Sequence, residues 1–121
     1  MANKALINLN TGLEDAETVT VALLVAVAAA EEGRPTRMFL TKEAVRLATN
    51  GVAVGTAPEN GPSLPDLLKR YADAGGAFFV CPVCFNARQL DEGTLLDNAQ
   101  ITGTVPLWEW IGDEGATTFS Y

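Results

Sequence analysis

The sequence predicts an α/β fold: a three-layer α/β/α sandwich built on a mostly parallel sheet of about five strands. Three observations carry that expectation. Short β-favouring runs recur along the chain, helical segments with recognisable starts and stops lie between them, and the connections are short. Parallel strands buried by helices on both faces follow from that alternation, with right-handed crossovers imposed by the sheet twist. At 121 residues the chain has room for one domain with a real core, spanning 1–121.

Lys4-Ala5-Leu6-Ile7-Asn8-Leu9-Asn10 reads as the first strand, and it closes on the turn signal Asn10-Thr11-Gly12. Residues 15–32 read as a helix, with Glu14, Asp15 and Glu17 at its start and Gly33 at its stop. Its middle, from Val19 to Val27, is β-branched enough to imitate a strand. Length and the Ala28-Ala29-Ala30-Glu31-Glu32 ending decide for helix. This helix is apolar almost all round, so one face belongs on the sheet and the other under a neighbour.

Arg37-Met38-Phe39-Leu40-Thr41 is the second strand, and residues 42–49 read as a short helix closed by Asn50-Gly51. Residues 50–62 are rich in glycine, proline and alanine, with Glu59 and Asn60 near the end. They form a surface loop, either a lid or a plain connection. Ser63 is the N-cap of the clearest helix, with Pro65 and Asp66 in its first turn and Leu64, Leu67, Leu68, Tyr71 and Ala72 on one face. After Gly75-Gly76 comes a third strand, Ala77-Phe78-Phe79-Val80, running directly into Cys81-Pro82-Val83-Cys84. Residues 82–88 then form a short helix, and 91–98 are expected to add a helical turn or two around Leu95 and Leu96. Gln100-Ile101-Thr102 is a weak fourth strand, residues 105–111 a helix carrying Trp108 and Trp110, and residues 116–120 a fifth strand. Two tryptophans two apart on a helix point in different directions, so at most one faces a crevice and one a neighbour.

Composition narrows the function. Apolar residues make up 48% of the chain and charged residues 19%, a globular balance with a slight apolar surplus that hints at contact with another subunit. Eight basic residues against fifteen acidic ones give a net charge of −7, which argues against nucleic acid or an anionic membrane surface as a partner. There is no histidine, which removes the commonest general base, the commonest metal ligand and every Cys-His or Ser-His nucleophile arrangement. The longest uncharged runs, 18–30 and 74–87, are too short to span a bilayer. With two cysteines and no secretory leader pattern, a cytoplasmic protein is expected.

The strongest chemical signal is Cys81-Pro82-Val83-Cys84 at a strand-to-helix switch. Proline fits the first helical position, where its missing N–H costs nothing. Cys81 then becomes the N-cap, its sulfur expected to face the free N–H groups of residues 83 and 84, an arrangement that favours a thiolate. Three readings compete. As half of a zinc site the pair needs two more ligands, which only a second chain could provide. As core residues the cysteines would pack like small hydrophobes. As a reactive dithiol they sit at a strand's carboxyl end, where open α/β sheets bind ligands. Thioredoxin-type chemistry fits poorly, because two βα units precede the motif and no tryptophan stands before it.

The order of features resembles the DsrE/DsrF-like (YchN-like) family over nearly the whole chain. The resemblance rests on Gly12-Leu13-Glu14-Asp15 after the first strand, and on the strand ending in Cys81 with Arg88 seven residues on. It also rests on Ala99-Gln100-Ile101-Thr102-Gly103 and on the closing strand with Thr118 and Phe119. What it implies is a parallel α/β/α sandwich assembled as trimers or hexamers, with the cysteine at position 81 accepting sulfur as a persulfide and passing it on. Cys84 departs from the relay pattern as a second, resolving or supporting thiol. The expected function is therefore thiol-based sulfur transfer through Cys81 and Cys84, without a cofactor or resident metal, between donor and acceptor proteins. Asn10, Thr11 and Asp15, at the end of the first strand, are candidates to line the same crevice. Arg88 is a candidate for substrate contact or for closing the negative end of its helix. The alternative is a non-catalytic oligomeric binding module that holds a small ligand or a metal at the Cys-x-x-Cys crevice.

Overall fold

The computed structural model describes residues 3–57 and 60–121; Glu59 lies outside them. Among the described residues five strands and four α-helices follow the predicted order: β1 (Lys4–Leu9), α1 (Ala16–Glu31), β2 (Thr36–Leu40), α2 (Leu64–Asp73), β3 (Ala77–Val80), α3 (Pro82–Ala87), β4 (Ala99–Ile101), α4 (Thr104–Ile111) and β5 (Ala116–Ser120). The sheet order is β4-β3-β2-β1-β5. Every neighbouring pair is parallel, so all carboxyl ends lie along one edge. Among the described residues no helix is long and apolar enough to cross a membrane.

Strand alternation divides the side chains between two faces. Ala5, Ile7 and Leu9 of β1, Met38 and Leu40 of β2, and Phe78 and Val80 of β3 point into one core with α1 and α2. Register aligns Ile7 with Met38 and Met38 with Phe78, so this face is a continuous apolar floor. On the opposite face stand Leu6, Asn8, Arg37, Phe39 and Phe79. α4 covers the amino-terminal part of it: the Trp110 ring meets Phe79 edge-on at 6.2 Å between centroids, and the Arg37 guanidinium lies 5.4 Å from the Trp110 ring. Lys4 donates to the Trp110 and Ile111 carbonyls, closing the carboxyl end of α4 with a cation, and pairs with Glu114. Trp108, on the other side of the helix, is exposed, as the two-residue spacing requires.

Local chemistry fixes the helices where the sequence places them. The Asp15 carboxylate accepts from the Thr18 amide at 3.2 Å and the Thr18 hydroxyl at 2.6 Å, capping α1. Ser63 accepts from the Asp66 amide at 3.2 Å and starts α2. At the other end of α2, Tyr71 is fully buried, and its hydroxyl donates to the Ala77 carbonyl at 2.7 Å. Burial pushes its phenol well above the usual range. A Cβ on Gly76 would come within 2.2 Å of the Tyr71 ring, so only glycine lets the chain turn beneath that ring into β3.

Two segments differ from the sequence reading. Residues 42–49 form a 3₁₀ helix, Lys42–Ala48, rather than an α-helix. The run opens with Lys42 at φ +51, a left-handed conformation outside the α-helical range, and Thr49 is already extended. Of residues 91–98, only Glu92–Thr94 make a 3₁₀ turn. Leu95 and Leu96 are instead drawn out along residues 48–50, through a Thr49–Leu95 bridge and bonds from Asn50 N to the Thr94 carbonyl (2.7 Å) and Leu96 N to the Ala48 carbonyl (2.8 Å). A partner distant in sequence outweighs local helix preference there.

Candidate functional site at the carboxyl edge

β3 delivers Cys81 to the carboxyl edge. Its N–H donates to the Leu40 carbonyl at 3.0 Å, which extends the β2–β3 ladder by one residue, and its carbonyl accepts from Phe85 N at 3.0 Å to begin α3. Cys81 is thus the N-cap in backbone terms, with Pro82 in the first turn. The expected sulfur cap does not form: the Cys81 side chain accepts no bond from the first turn of α3. The ladder bond holds Cys81 in extended geometry, and alternation with the buried Val80 sends its side chain to the opposite face of the sheet. Cys84, one turn along α3, packs against the core beside the fully buried Phe85. Both thiols are free and partly exposed.

The face to which Cys81 belongs is open at this edge. Asn8, Asn10, Phe39, Thr41, Ser120 and Tyr121 line a cleft of about 500 Å³. Phe39 lies on β2 in register with Phe79 of β3, and Thr41 and Cys81 are the residues directly beyond the two strands. The cleft carries neutral polar groups over an aromatic floor, and the Asn8 amide donates to the Ser120 hydroxyl at 3.3 Å. The lining contains no Asp, Glu, Lys or Arg.

The predicted site residues separate into groups. Asn10 is on the cleft, and Thr11 donates to its side-chain carbonyl at 3.2 Å. Asp15 is committed elsewhere: Thr18, by its hydroxyl first and its amide second, holds the carboxyl below the ordinary value. Arg88 is committed too. It pairs with Glu43 and donates to the Cys84 carbonyl at 3.1 Å, so it anchors the cysteine helix.

Glu43 is the residue that the sequence did not single out. One carboxylate oxygen takes the Arg88 guanidinium, the other takes Arg46 at 2.9 Å, and these two bonds hold the carboxyl below its usual range. Its backbone carbonyl presses on the turn after β1, where a Cβ on Gly12 would stand 2.8 Å from the Glu43 oxygen. Glu43 therefore ties the 3₁₀ segment to α3 and lies close against the β1 turn. Arg46 stands three residues on, within local reach, whereas Arg88 is 45 residues away in sequence, so no local pattern points to that pair.

The described start of the 50–62 loop belongs to a different part of the surface from the cysteines. Its Gly51, Ala53 and Val54 line a second, mostly apolar pocket of about 540 Å³ with Leu68 and Ala72 of α2 and with residues 96–98. That pocket runs toward Asn98 and the amino ends of β3 and β4, away from the carboxyl edge.

Residues 3–119 match the model of the DsrE/DsrF-like family. Among solved structures, YchN from E. coli superposes with a TM-score of 0.78 at 21% identity, covering 98% of this chain and 99% of that one. A protein of unknown function from Methanobacterium thermoautotrophicum gives 0.69 at 11% identity, with 98% and 99% covered. A conserved protein of unknown function from Bacteroides thetaiotaomicron gives 0.65 at 16% identity, with 98% and 95% covered. A search of curated proteins finds no match.

Proposed function

The chain belongs to the DsrE/DsrF-like family, and from that premise we propose that it carries sulfur as a persulfide on Cys81, with Cys84 as the supporting thiol. The observation that supports this reading is the division of the two sulfurs. Cys81 stands at a strand end on the sheet face that holds the open polar cleft, whereas Cys84 packs against the core.

The chemistry is a pair of displacements. The Cys81 thiolate attacks the outer sulfur of a donor persulfide; a new S–S bond forms on Cys81, the donor's S–S bond breaks, and the donor leaves as a thiolate. An acceptor thiolate then attacks that same outer sulfur and releases Cys81 as a thiolate. No net electrons are needed, and no cofactor enters. Asn10 with Thr11, Asn8, Thr41 and Ser120 position the incoming group by neutral hydrogen bonds. Arg88 and Glu43 hold α3 in place. We place the protein in the cytoplasm as a trimer or hexamer that meets sulfur-donor and acceptor proteins.

Glutathione persulfide as donor, followed by intact-protein mass spectrometry, tests the reading. Wild type and Cys84→Ser are expected to gain one sulfur atom and to lose it to added thiol, and Cys81→Ser to gain none. Loading of none of the three would discard sulfur transfer in favour of a non-catalytic binding module.

A further inference from the structure

The basic side chains of this acidic chain are almost all paired. Among the described residues Lys4, Arg34, Arg46, Lys69, Arg70 and Arg88 each meet a carboxylate. Lys42 and Arg37 do not, and the two are unlike. Lys42 is exposed, so water serves its ammonium. Arg37 is half-buried on β2, where a charge without a counter-charge is costly. With fifteen acidic residues against eight basic ones, carboxylates are not scarce in this chain.

The Arg37 guanidinium is held without being satisfied. It lies 5.6 Å from the centre of the Phe79 ring and 5.4 Å from that of Trp110, contacts that keep the group in place. Nη1 donates to the Thr36 carbonyl at 3.0 Å, and the buried Nε has no partner among the described residues. Lys4 supplies the contrast. Its ammonium lies 5.4 Å from the same Trp110 ring, yet it is paired with Glu114.

Arg37 lines a cavity of about 230 Å³ together with Phe79, Asp97, Asn98 and Gln100. Register explains the grouping: Arg37 pairs with Ala77, and Phe79 with Gln100, so alternation puts these four on one face of the sheet. The short side chain of Ala77 leaves room beside the guanidinium. Asn98 spends its amide nitrogen on the Gly76 carbonyl at 3.0 Å. The cavity shares no lining residue with the cleft near Cys81, so it is a second place on the molecule.

We propose that this cavity binds a small organic monocarboxylate, its carboxylate on the spare donors of Arg37 and its body against Phe79 and Ala77. The planar guanidinium matches a carboxylate in shape and charge. One cation neutralises one negative charge, and the exposed Asp97 carboxylate at the rim works against a dianion such as phosphate. A cavity of about 230 Å³ is smaller than those that hold drug-sized ligands, so the body is a small one.

Benzoate, neutral benzamide and inorganic phosphate are the probes. Trp108→Phe replaces an exposed side chain and leaves Trp110, which touches Arg37, as the only tryptophan. Benzoate at constant ionic strength is expected to change Trp110 emission saturably in that variant and to shift the Arg37 Nε–Hε resonance of the wild type. Benzamide, which lacks the charge, is expected to bind roughly tenfold more weakly or worse, and phosphate more weakly than benzoate. Arg37→Gln in the Trp108→Phe background, with folding checked by circular dichroism, is expected to lose the benzoate response. No saturable response to benzoate, equal binding of benzamide, tighter binding of phosphate, or unaltered benzoate binding by a folded Arg37→Gln would each overturn the proposal. The resonance shift and the benzamide comparison use the intact Arg37, so they decide the matter even where Arg37→Gln fails to fold.

Discussion

The two faces of the sheet are made from the same five strands and treated in opposite ways. On one, Ile7, Met38, Leu40, Phe78 and Val80 are at most 1% exposed beneath α1 and α2. On the other, α4 reaches only the amino-terminal part through Trp110, and the carboxyl part ends in a cleft lined by Asn8, Asn10, Phe39, Thr41 and Ser120. The closed face holds the fold, and the open end of the other is where chemistry has room. The cysteines follow the same division, since Cys84 turns toward the closed side and Cys81 belongs to the open one. One Cys-x-x-Cys motif thus contributes a thiol to each side.

Substitutions can break this contrast at different depths. Phe78→Ala on the closed face removes a ring packed at 5.1 Å from Tyr71 and leaves a cavity; chemical denaturation should show a loss of roughly 3–5 kcal/mol. Trp110→Ala on the partly covered face removes the cover from Phe79 and the cation–π contacts of Lys4 and Arg37. Because Trp110 is only half-buried, the same measurement should show about 2 kcal/mol.

The smallest effect belongs to Glu43→Gln, which loosens the tie between the two regions. The Glu43 carboxyl is held below its ordinary value of 4.5 by Arg88 first and Arg46 second. Its depressed value means that its contribution is complete above the ordinary value and is lost as pH falls through the folded one. The stability gap between wild type and Glu43→Gln should therefore be flat near neutrality and close below about pH 4.5. It should also shrink in high salt, because the pair is partly exposed. A gap that widens on acidification would contradict the Arg88–Glu43 assignment.

Much of the fold was legible in the sequence because its cues are local. Asp15 and Ser63 cap the helices they were assigned to, and the β-branched run of α1 yielded to length. The family pattern was legible as an order of features. What escaped depends on distant partners: Leu95 and Leu96 are drawn from a helical turn into an extended bridge by residues 48–50. The site was read in part. Cys81 and Asn10 lie at the edge where strand ends predicted them, but Asp15 and Arg88 are committed to Thr18 and Glu43. The sulfur cap failed because Cys81 remains bonded into the strand ladder, where alternation overrides helix geometry. Ser120 and Thr41 could not be assigned to the cleft until the strand order was known, since β5 joins the sheet beside β1.

The proposed sulfur transfer requires the two sulfurs to differ in reactivity. Iodoacetamide labelling of the folded protein at pH 7, quenched over time and resolved by peptide mass spectrometry, measures both thiols in one sample. Cys81 is expected to label at least tenfold faster than Cys84, Cys84→Ser to leave the Cys81 rate unchanged, and denaturation to bring the two rates together. Equal rates in the folded protein, or faster labelling of Cys84, would contradict it.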